Sequence, residues 1–155
     1  MRRDEGPTLT IGERLEVGVE KAVYRGLGLA RHDGRVVFVP RAFPGDRLRV
    51  RVTSVERGFA RAALEDVLET GPGRRGAPCR HAERCGGCAY QELDYARQLE
   101  VKRDILAETL RRAGAEFPPA FEVVASPEEA WRTRASLHFE ARGGEIGRAS
   151  CRERV

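Results

Sequence analysis

The chain of 155 residues lacks any apolar stretch long enough to span a bilayer, and its first residues lack the apolar run of a signal peptide. We therefore expect a cytoplasmic protein that makes no membrane contact. In that compartment the four cysteines are not expected to form structural disulfides, because cytosolic thiols stay reduced. Clustered cysteines then point to metal binding or to redox chemistry.

Charge and aromatic content exclude little by themselves. Lys and Arg outnumber Asp and Glu by 28 to 24, and aromatic residues make up 6% of the chain. This modest positive balance is compatible with nucleic acid as a partner, and equally with a solvated basic surface. The length suggests one or two domains, and we expect a monomer.

Short strands and tight turns are predicted between residues 10 and 69. Apolar residues alternate with polar or small ones, as in a half-buried strand, at Leu15, Val17 and Val19. Asp33-Gly34 and Pro44-Gly45 are turn signals, because Gly accepts the positive φ that such turns require. In the second turn, Pro44 also fixes its own φ, which is the first torsion of the turn. About five strands in this span predict a small closed or nearly closed barrel of the OB type.

The rest of the chain divides by composition. Residues 1–9 read as a loose lead-in, and residues 70–78 read as a linker because Gly and Pro dominate them. Residues 79–115 carry three cysteines and the clearest helix pattern, and residues 116–144 read as the start of an α/β central domain, with strands expected over 121–125 and 135–140. The predicted fold is thus mainly β with α.

The predicted helix runs from about Leu93 to Ala113. Its apolar stripe at helical spacing consists of Tyr95, Leu99, Leu106, Leu110 and Ala113. Gly114 is a natural end signal. Since the chain offers this helix few packing partners, we expect part of its apolar face to be exposed.

One predicted strand of the barrel carries a row of arginines. Arg47, Arg49 and Arg51 alternate with Leu48, Val50 and Val52, so one face is apolar and the other cationic. Small barrels bind RNA with a basic face and stacked rings. The candidate RNA contacts are therefore Arg47, Arg49, Arg51, Arg25 and Arg61. A solvated strand is the competing interpretation of the row. Three aromatic residues, expected in the core rather than on RNA, are Phe38, Phe43 and Phe59.

Cys79, Cys85 and Cys88 stand close together in a polar, Gly-rich stretch where no apolar core is expected. The two glycines between Cys85 and Cys88 allow the backbone to turn tightly around a bulky ligand. Iron–sulfur clusters are held by such thiolates. Zinc is the alternative, bound by the three cysteines with His81 or a distant ligand.

The stretch from Cys85 to Lys102 resembles the signature of the RNA uracil-5-methyltransferases, enzymes that form 5-methyluridine in transfer or ribosomal RNA. The matching positions are Cys79, Cys85, Cys88, Gln91, Leu93, Tyr95, Gln98, Leu99 and Lys102. The barrel resembles a TRAM domain, with its landmarks at Gly26-Leu27-Gly28, Val37-Phe38-Val39-Pro40 and Pro44-Gly45-Asp46. Trp131–Arg134 resembles the start of the family's central domain.

This resemblance implies an RNA-binding TRAM barrel and a 4Fe-4S cluster held by Cys79, Cys85 and Cys88. It also implies a further, Rossmann-like domain that binds S-adenosylmethionine and methylates C5 of a uracil. The resemblance further implies a cysteine in that domain that attacks C6 of the uracil and a glutamate that removes the C5 proton. Neither is expected in this chain, which alone is expected to be inactive. The family takes a fourth cluster cysteine from the central domain.

Cys151 is a poor candidate for that fourth ligand, because no apolar strand precedes it. Residues 145–155 resemble a read-through peptide, and we expect them to be a non-native tail. Two other functions stay open at this stage. One is a free-standing zinc or iron–sulfur RNA-binding module without catalysis, and the other is an interaction protein without RNA affinity.

Overall fold

The computed structural model describes residues 9–82, 87–115, 121–128, 139–142 and 145–148. A closed barrel is formed by five strands, β1 (Arg14–Val23), β2 (Leu27–His32), β3 (Arg35–Pro40), β4 (Arg47–Glu56) and β5 (Phe59–Glu69). Their order around the barrel is β1-β2-β3-β5-β4, and the neighbouring strands are antiparallel except for β3 and β5, which are parallel. The predicted five-stranded barrel is confirmed.

The interior of the barrel follows the alternation that the sequence predicts. Every second residue of β1 and β4 points inward, and burial of these side chains drives the barrel to close. The core includes Leu15, Val17, Val19, Val37, Val39, Leu48, Val50 and Val52. The remaining positions of these strands therefore form an outer surface that is free to carry charge or aromatic rings.

Two predicted turns are confirmed. Asp33 and Gly34 join β2 to β3 with φ angles of 47° and 84°, as a two-residue hairpin turn requires. Gly45 has a φ of 90°, and the Asp46 N–H donates to the carbonyl oxygen of Phe43 at 3.0 Å. This second turn matters for the site, because it places Asp46 inside the protein.

A second apolar cluster is separate from the barrel core. It includes Ala22 of β1, which follows a shift in the pairing of β1 with β2 between Val19 and Lys21. Ala22 packs there with Phe43, Leu93 and Val101, and Val101 belongs to the helix. The second apolar cluster is thus the place where the helix docks.

Helix α1 runs over Tyr95–Arg112. It begins later than predicted, because the Asp94 carboxylate accepts a hydrogen bond from the Arg97 N–H at 2.8 Å and caps the first turn. Leu93 is instead a fully buried residue of the preceding segment. Gly114, with a φ of 71°, ends the helix as predicted.

The side of α1 that faces the barrel is not the predicted stripe. Val101 and Ile105 pack into the second apolar cluster, and Lys21 Nζ on β1 lies 2.6 Å from Glu108 Oε1. The ion pair and the two apolar residues fix the rotation of the helix about its axis. Leu106, on the predicted stripe, is 46% exposed, which agrees with the expected exposed apolar face.

The later part of the chain differs from prediction at residues 121–127, which have no regular structure where a strand was expected over 121–125. Strands β6 (Phe139–Arg142) and β7 (Glu145–Arg148) form an antiparallel hairpin that crosses the predicted boundary between residues 144 and 145. Trp131–Arg134 and residues 135–138 lie outside the described residues. Within the described part of the chain, no helix is long and apolar enough to cross a membrane.

Candidate nucleic-acid interface and cysteine loop

Arg47, Arg49 and Arg51 (the β4 arginine row) point outward from the barrel, as the alternation predicts. Each guanidinium is paired with a carboxylate. The pairs at 2.9 to 3.4 Å are Arg47 with Glu69 and Glu16, Arg49 with Asp66 and Glu16, and Arg51 with Glu65. The hydrogen bond with Glu69 raises the pKa of Arg47 above its ordinary value.

The β4 arginine row therefore lies in a charge-balanced network. Arg14 on β1 joins it by contacting Glu65 at 2.9 Å, which brings the network to four arginines and four carboxylates. A balanced surface attracts polyanions less than a row of free guanidinium groups does. The sequence predicted the row but not its partners, because those lie on the neighbouring strands β1 and β5.

A second outer surface combines aromatic rings with an arginine, and it consists of Phe38, Phe59 and Arg61 (the aromatic face). Phe38 and Phe59 are half-buried, and their ring centroids lie 5.5 Å apart at an interplanar angle of 68°. Arg61 Cζ lies 5.9 Å from the Phe59 centroid. The expectation of a core position is confirmed for Phe43, which is fully buried, and is wrong for Phe38 and Phe59.

The parallel pairing of β3 with β5 creates this face. Val36 is opposite Phe59 and Phe38 is opposite Arg61, so the outward residues of the two strands stand side by side. In the described part of the chain, Arg61 has no carboxylate partner. The aromatic face thus offers two rings and an unneutralised cation.

Arg25, the remaining predicted RNA contact, lies in the short turn Tyr24–Gly26 between β1 and β2. Its φ is 71°, a left-handed conformation that is unusual for a residue with a side chain. Arg25 is exposed, and the adjacent Tyr24 is exposed as well. Neither belongs to the β4 arginine row or to the aromatic face.

Residues 76–91 (the cysteine loop) contain Cys79, Cys85 and Cys88 in sequence. Cys79 and Cys88 are exposed free thiols, whereas Cys85 lies outside the described residues, as does Cys151. His81, the nitrogen ligand considered for zinc, accepts a hydrogen bond at Nε2 from Arg80 Nε at 3.0 Å. Among the residues that the structure describes, no three His, Cys, Asp or Glu side chains are grouped to hold a metal.

Four charged residues next to the cysteine loop were not predicted as functional residues, although Asp46 was part of a predicted TRAM landmark. They are Asp46, Arg74, Glu92 and Arg41 (the buried clamp). Asp46 is completely buried and accepts hydrogen bonds from the N–H groups of Phe43 and Gly71, both at 2.8 Å. Arg74 donates to the Asp46 carboxylate, so the segment predicted as a linker is anchored to the barrel. The sequence signal that could have revealed Arg74 is its charge within a Gly- and Pro-rich stretch.

Arg41 and Glu92 complete the buried clamp. Arg41 donates two hydrogen bonds of 2.7 Å to the Glu92 carboxylate. These bonds lower the pKa of Glu92 below its ordinary value, an effect that the charges of Arg41 and Arg74 reinforce and that burial opposes. Glu92 is therefore held ionised beside the cysteine loop.

Comparison with known proteins gives this barrel a family. Residues 8–64 match the family model described as TRAM domain. The chain is 37% identical over 143 residues to an uncharacterized RNA methyltransferase of Corynebacterium efficiens, covering 90% of this chain and 34% of the relative. It is 36% identical over 146 residues to the 23S rRNA (uracil(1939)-C(5))-methyltransferase RlmD of Pseudomonas putida, covering 91% of this chain and 32% of that enzyme.

A solved structure is also similar in sequence. The tRNA (uracil-54, C5)-methyltransferase of Pyrococcus abyssi, in complex with S-adenosyl-L-homocysteine, is 33% identical, with 72% of this chain and 24% of that chain covered and a TM-score of 0.47. The chain spans about a third of the length of the curated relatives it matches. It contains a TRAM domain, and along most of its length it is similar to part of the enzymes named as RNA (uracil-C5) methyltransferases.

Proposed function

We propose that this chain is the RNA-binding and cluster-binding N-terminal part of an S-adenosylmethionine-dependent methyltransferase that acts on C5 of uracil in ribosomal or transfer RNA. The names of the relatives and the share of their length that the chain spans support this proposal over a free-standing module. The S-adenosylmethionine site and the catalytic residues belong to the remaining part of such an enzyme. This chain contributes the RNA-binding surface.

The aromatic face is the observation that carries the RNA-binding role. Phe38 and Phe59 offer ring surfaces to unpaired bases, and Arg61 offers a charge to the phosphate that follows. Arg25 is a second cation without a carboxylate partner in the described residues. The β4 arginine row contributes less, because an RNA phosphate must compete there with carboxylates that are already bound.

RNA binding is tested by fluorescence anisotropy with a labelled single-stranded RNA and the whole chain. Replacing Phe38 and Phe59 by Leu keeps the surface apolar but removes the rings, and each lost stack is worth about 1–3 kcal/mol. We expect the double variant to bind at least about 10-fold more weakly, and the matched Tyr variant to bind like the parent. No binding by the parent chain would contradict the RNA-binding role.

The three cysteines are the proposed ligands of a 4Fe-4S cluster. The described thiols of Cys79 and Cys88 fit this role, because they are exposed, make no disulfide and lie on one loop with Cys85 between them in sequence. His81 is a poorer fit for zinc, because Nε2 accepts from Arg80. When bound, a cluster of this kind supplies a rigid cross-link between its ligands.

The identity of the cofactor is tested by anaerobic purification of the chain. Iron and sulfide in comparable amounts, with visible charge-transfer absorption, support the cluster. A colourless protein loaded with zinc would contradict it. Replacing Cys79 and Cys88 by Ser is expected to abolish iron binding without unfolding the barrel, whose core contains no cysteine.

The enzymatic role is tested on the extended protein. Once the sequence that follows in the relatives is appended, transfer of a labelled methyl group from S-adenosylmethionine to C5 of uracil is expected, with ribosomal and transfer RNA as the two substrates compared. The chain alone should transfer none. Methylation by the extended protein at another base would contradict the proposal.

A further inference from the structure

The cysteine loop leaves and rejoins the barrel at one place. Arg74 and Leu93 form an isolated antiparallel bridge at the two ends of the loop. The Arg75 N–H donates to the carbonyl oxygen of Glu92 at 2.8 Å, and the Asp94 N–H donates to that of Gly73 at 2.8 Å. The loop is therefore closed by backbone hydrogen bonds outside the cysteines.

The buried clamp lies next to these backbone hydrogen bonds. The Arg74 side chain is only 6% exposed, and it lies between the completely buried Asp46 and Glu92, which is 12% exposed. Arg74 Nη1 donates to Asp46 and to the carbonyl oxygen of Arg41 at 3.3 Å, and Nη2 lies 3.8 Å from Glu92 Oε1. One guanidinium thus joins a carboxylate of the barrel to a carboxylate that follows the cysteines.

The position of the guanidinium is fixed from other directions too. Arg74 Cζ lies 5.2 Å from the centroid of the Phe43 ring, which belongs to the second apolar cluster. The backbone beside it leaves no room, since a Cβ on Gly71 would lie 2.5 Å from the Pro44 carbonyl oxygen. A buried arginine with two acidic neighbours cannot be removed without leaving uncompensated charge.

We propose that Arg74 is a positioning residue for the cysteine loop: by joining Asp46 to Glu92 it holds the two ends of the loop together before any metal is bound. Bringing the ends of a flexible loop together costs entropy, which metal binding must otherwise overcome. When the clamp is formed, the entropy of closing the loop is lost during folding of the barrel and no longer opposes metal binding. The inference rests on the proposed cluster-binding role of Cys79, Cys85 and Cys88.

The first test uses the metal-free parent chain and hydrogen exchange measured at single amides. The N–H groups of Arg75 and Asp94 close the loop, so they should be protected without metal. The variant Arg74→Met should exchange at these two amides at least about 10-fold faster, while amides of β4 keep their protection and report an intact barrel. Fast exchange at Arg75 and Asp94 in the metal-free parent would overturn the proposal, and this measurement needs no variant to fold.

The second test measures retention of the cluster. The chain is loaded anaerobically with iron and sulfide, and loss of the visible absorption is followed after an iron chelator is added. We expect loss to be about 10-fold faster in Arg74→Met than in the parent. The matched variant Arg47→Met, which removes an ion-paired but exposed arginine, should stay within about 2-fold.

The outcomes separate the two proposals. Failure of the parent chain to take up iron and sulfide would refute the cluster, while the amide exchange would still judge the clamp. Uptake by the parent with equal chelator resistance in Arg74→Met would refute the positioning role and leave the cluster standing. Restoration of slow loss by Arg74→Lys would show that charge alone suffices, which contradicts a role for the two-armed guanidinium.

Discussion

Glu16 lies between Arg47 and Arg49 and accepts a hydrogen bond from each, at 3.3 and 3.4 Å. The relationship depends on the pairing of β1 with β4, which places Glu16 opposite Arg49. This pairing makes the β4 arginine row a weaker RNA contact than the sequence suggests, because a guanidinium that is already paired gains less from an RNA phosphate than a free one does. Exposed pairs of this kind contribute little to the free energy of unfolding, so the row is not required for stability.

A comparison of two single substitutions follows from that balance. Arg61→Gln removes a cation that has no carboxylate partner among the described residues, whereas Arg49→Gln removes one that has two. We expect Arg61→Gln to weaken binding of single-stranded RNA by about 5-fold or more, and Arg49→Gln by less than about 2-fold. Anisotropy titrations at one fixed salt concentration measure both. A larger loss for Arg49→Gln would return the main contact to the β4 arginine row.

The salt dependence of RNA binding should distinguish the same two arginines. Each phosphate contact to a single strand releases counterions and contributes about −0.7 to the slope of log K against log salt. Affinity of the parent chain should therefore fall steeply with salt. Arg61→Gln should flatten the slope by about 0.7, while Arg49→Gln should leave it nearly unchanged. Titrations between low and moderate salt give the slopes, and a parent slope near zero would rule out phosphate contacts by the barrel.

The sequence allowed the barrel to be predicted because its signals are local. The alternation of Leu15, Val17 and Val19 places these residues in the core, and Asp33-Gly34 forms the expected turn. Outward orientation of Arg49 also follows from alternation alone. What alternation leaves undetermined is the neighbouring strand, and that neighbour supplies Glu16 and Asp66.

The features that were predicted wrongly depend on contacts between distant segments. Two apolar stripes are possible on α1, and the choice of Val101 and Ile105 depends on their contacts with distant residues of the second apolar cluster and on the pair between Lys21 and Glu108. The outward position of Phe38 follows from the parity of β3, in which Val37 and Val39 occupy the interior. The buried clamp joins three separate segments of the chain, so no sequence window contains it.

The contribution of Glu92 to the free energy of unfolding should disappear at acidic pH. The pKa of Glu92 is lowered in the folded protein, chiefly by its hydrogen bonds with Arg41, so ionised Glu92 stabilises the fold above its ordinary pKa of 4.5. That contribution is lost as the pH falls below 4.5 and through the lowered value. Glu92→Gln should therefore destabilise the chain at pH 7, and the difference from the parent should shrink towards pH 3.

Urea unfolding at several pH values measures that difference. The control is Glu56→Gln, because Glu56 is exposed and its side chain makes no ion pair or hydrogen bond within the described part of the chain. Its difference from the parent should stay near zero throughout. A constant difference for Glu92→Gln across the range would mean that the carboxylate is not held ionised by the clamp.

Two glycines of the barrel should respond oppositely to the same substitution. A Cβ on Gly28 would lie 2.6 Å from the Ala42 carbonyl oxygen and 2.7 Å from the Ala42 Cβ, whereas a Cβ on Gly18 would meet nothing within 4 Å. Both glycines lie within strands of the barrel. Gly28→Ala should lower the free energy of unfolding by about 1–3 kcal/mol, because Ala42 is buried and its backbone cannot move freely. Gly18→Ala should raise it by about 0.5–1 kcal/mol, because Ala restricts the unfolded chain and favours a strand over Gly. Urea unfolding of both variants tests the closeness of β2 to the segment after β3, and equal stabilities would contradict it.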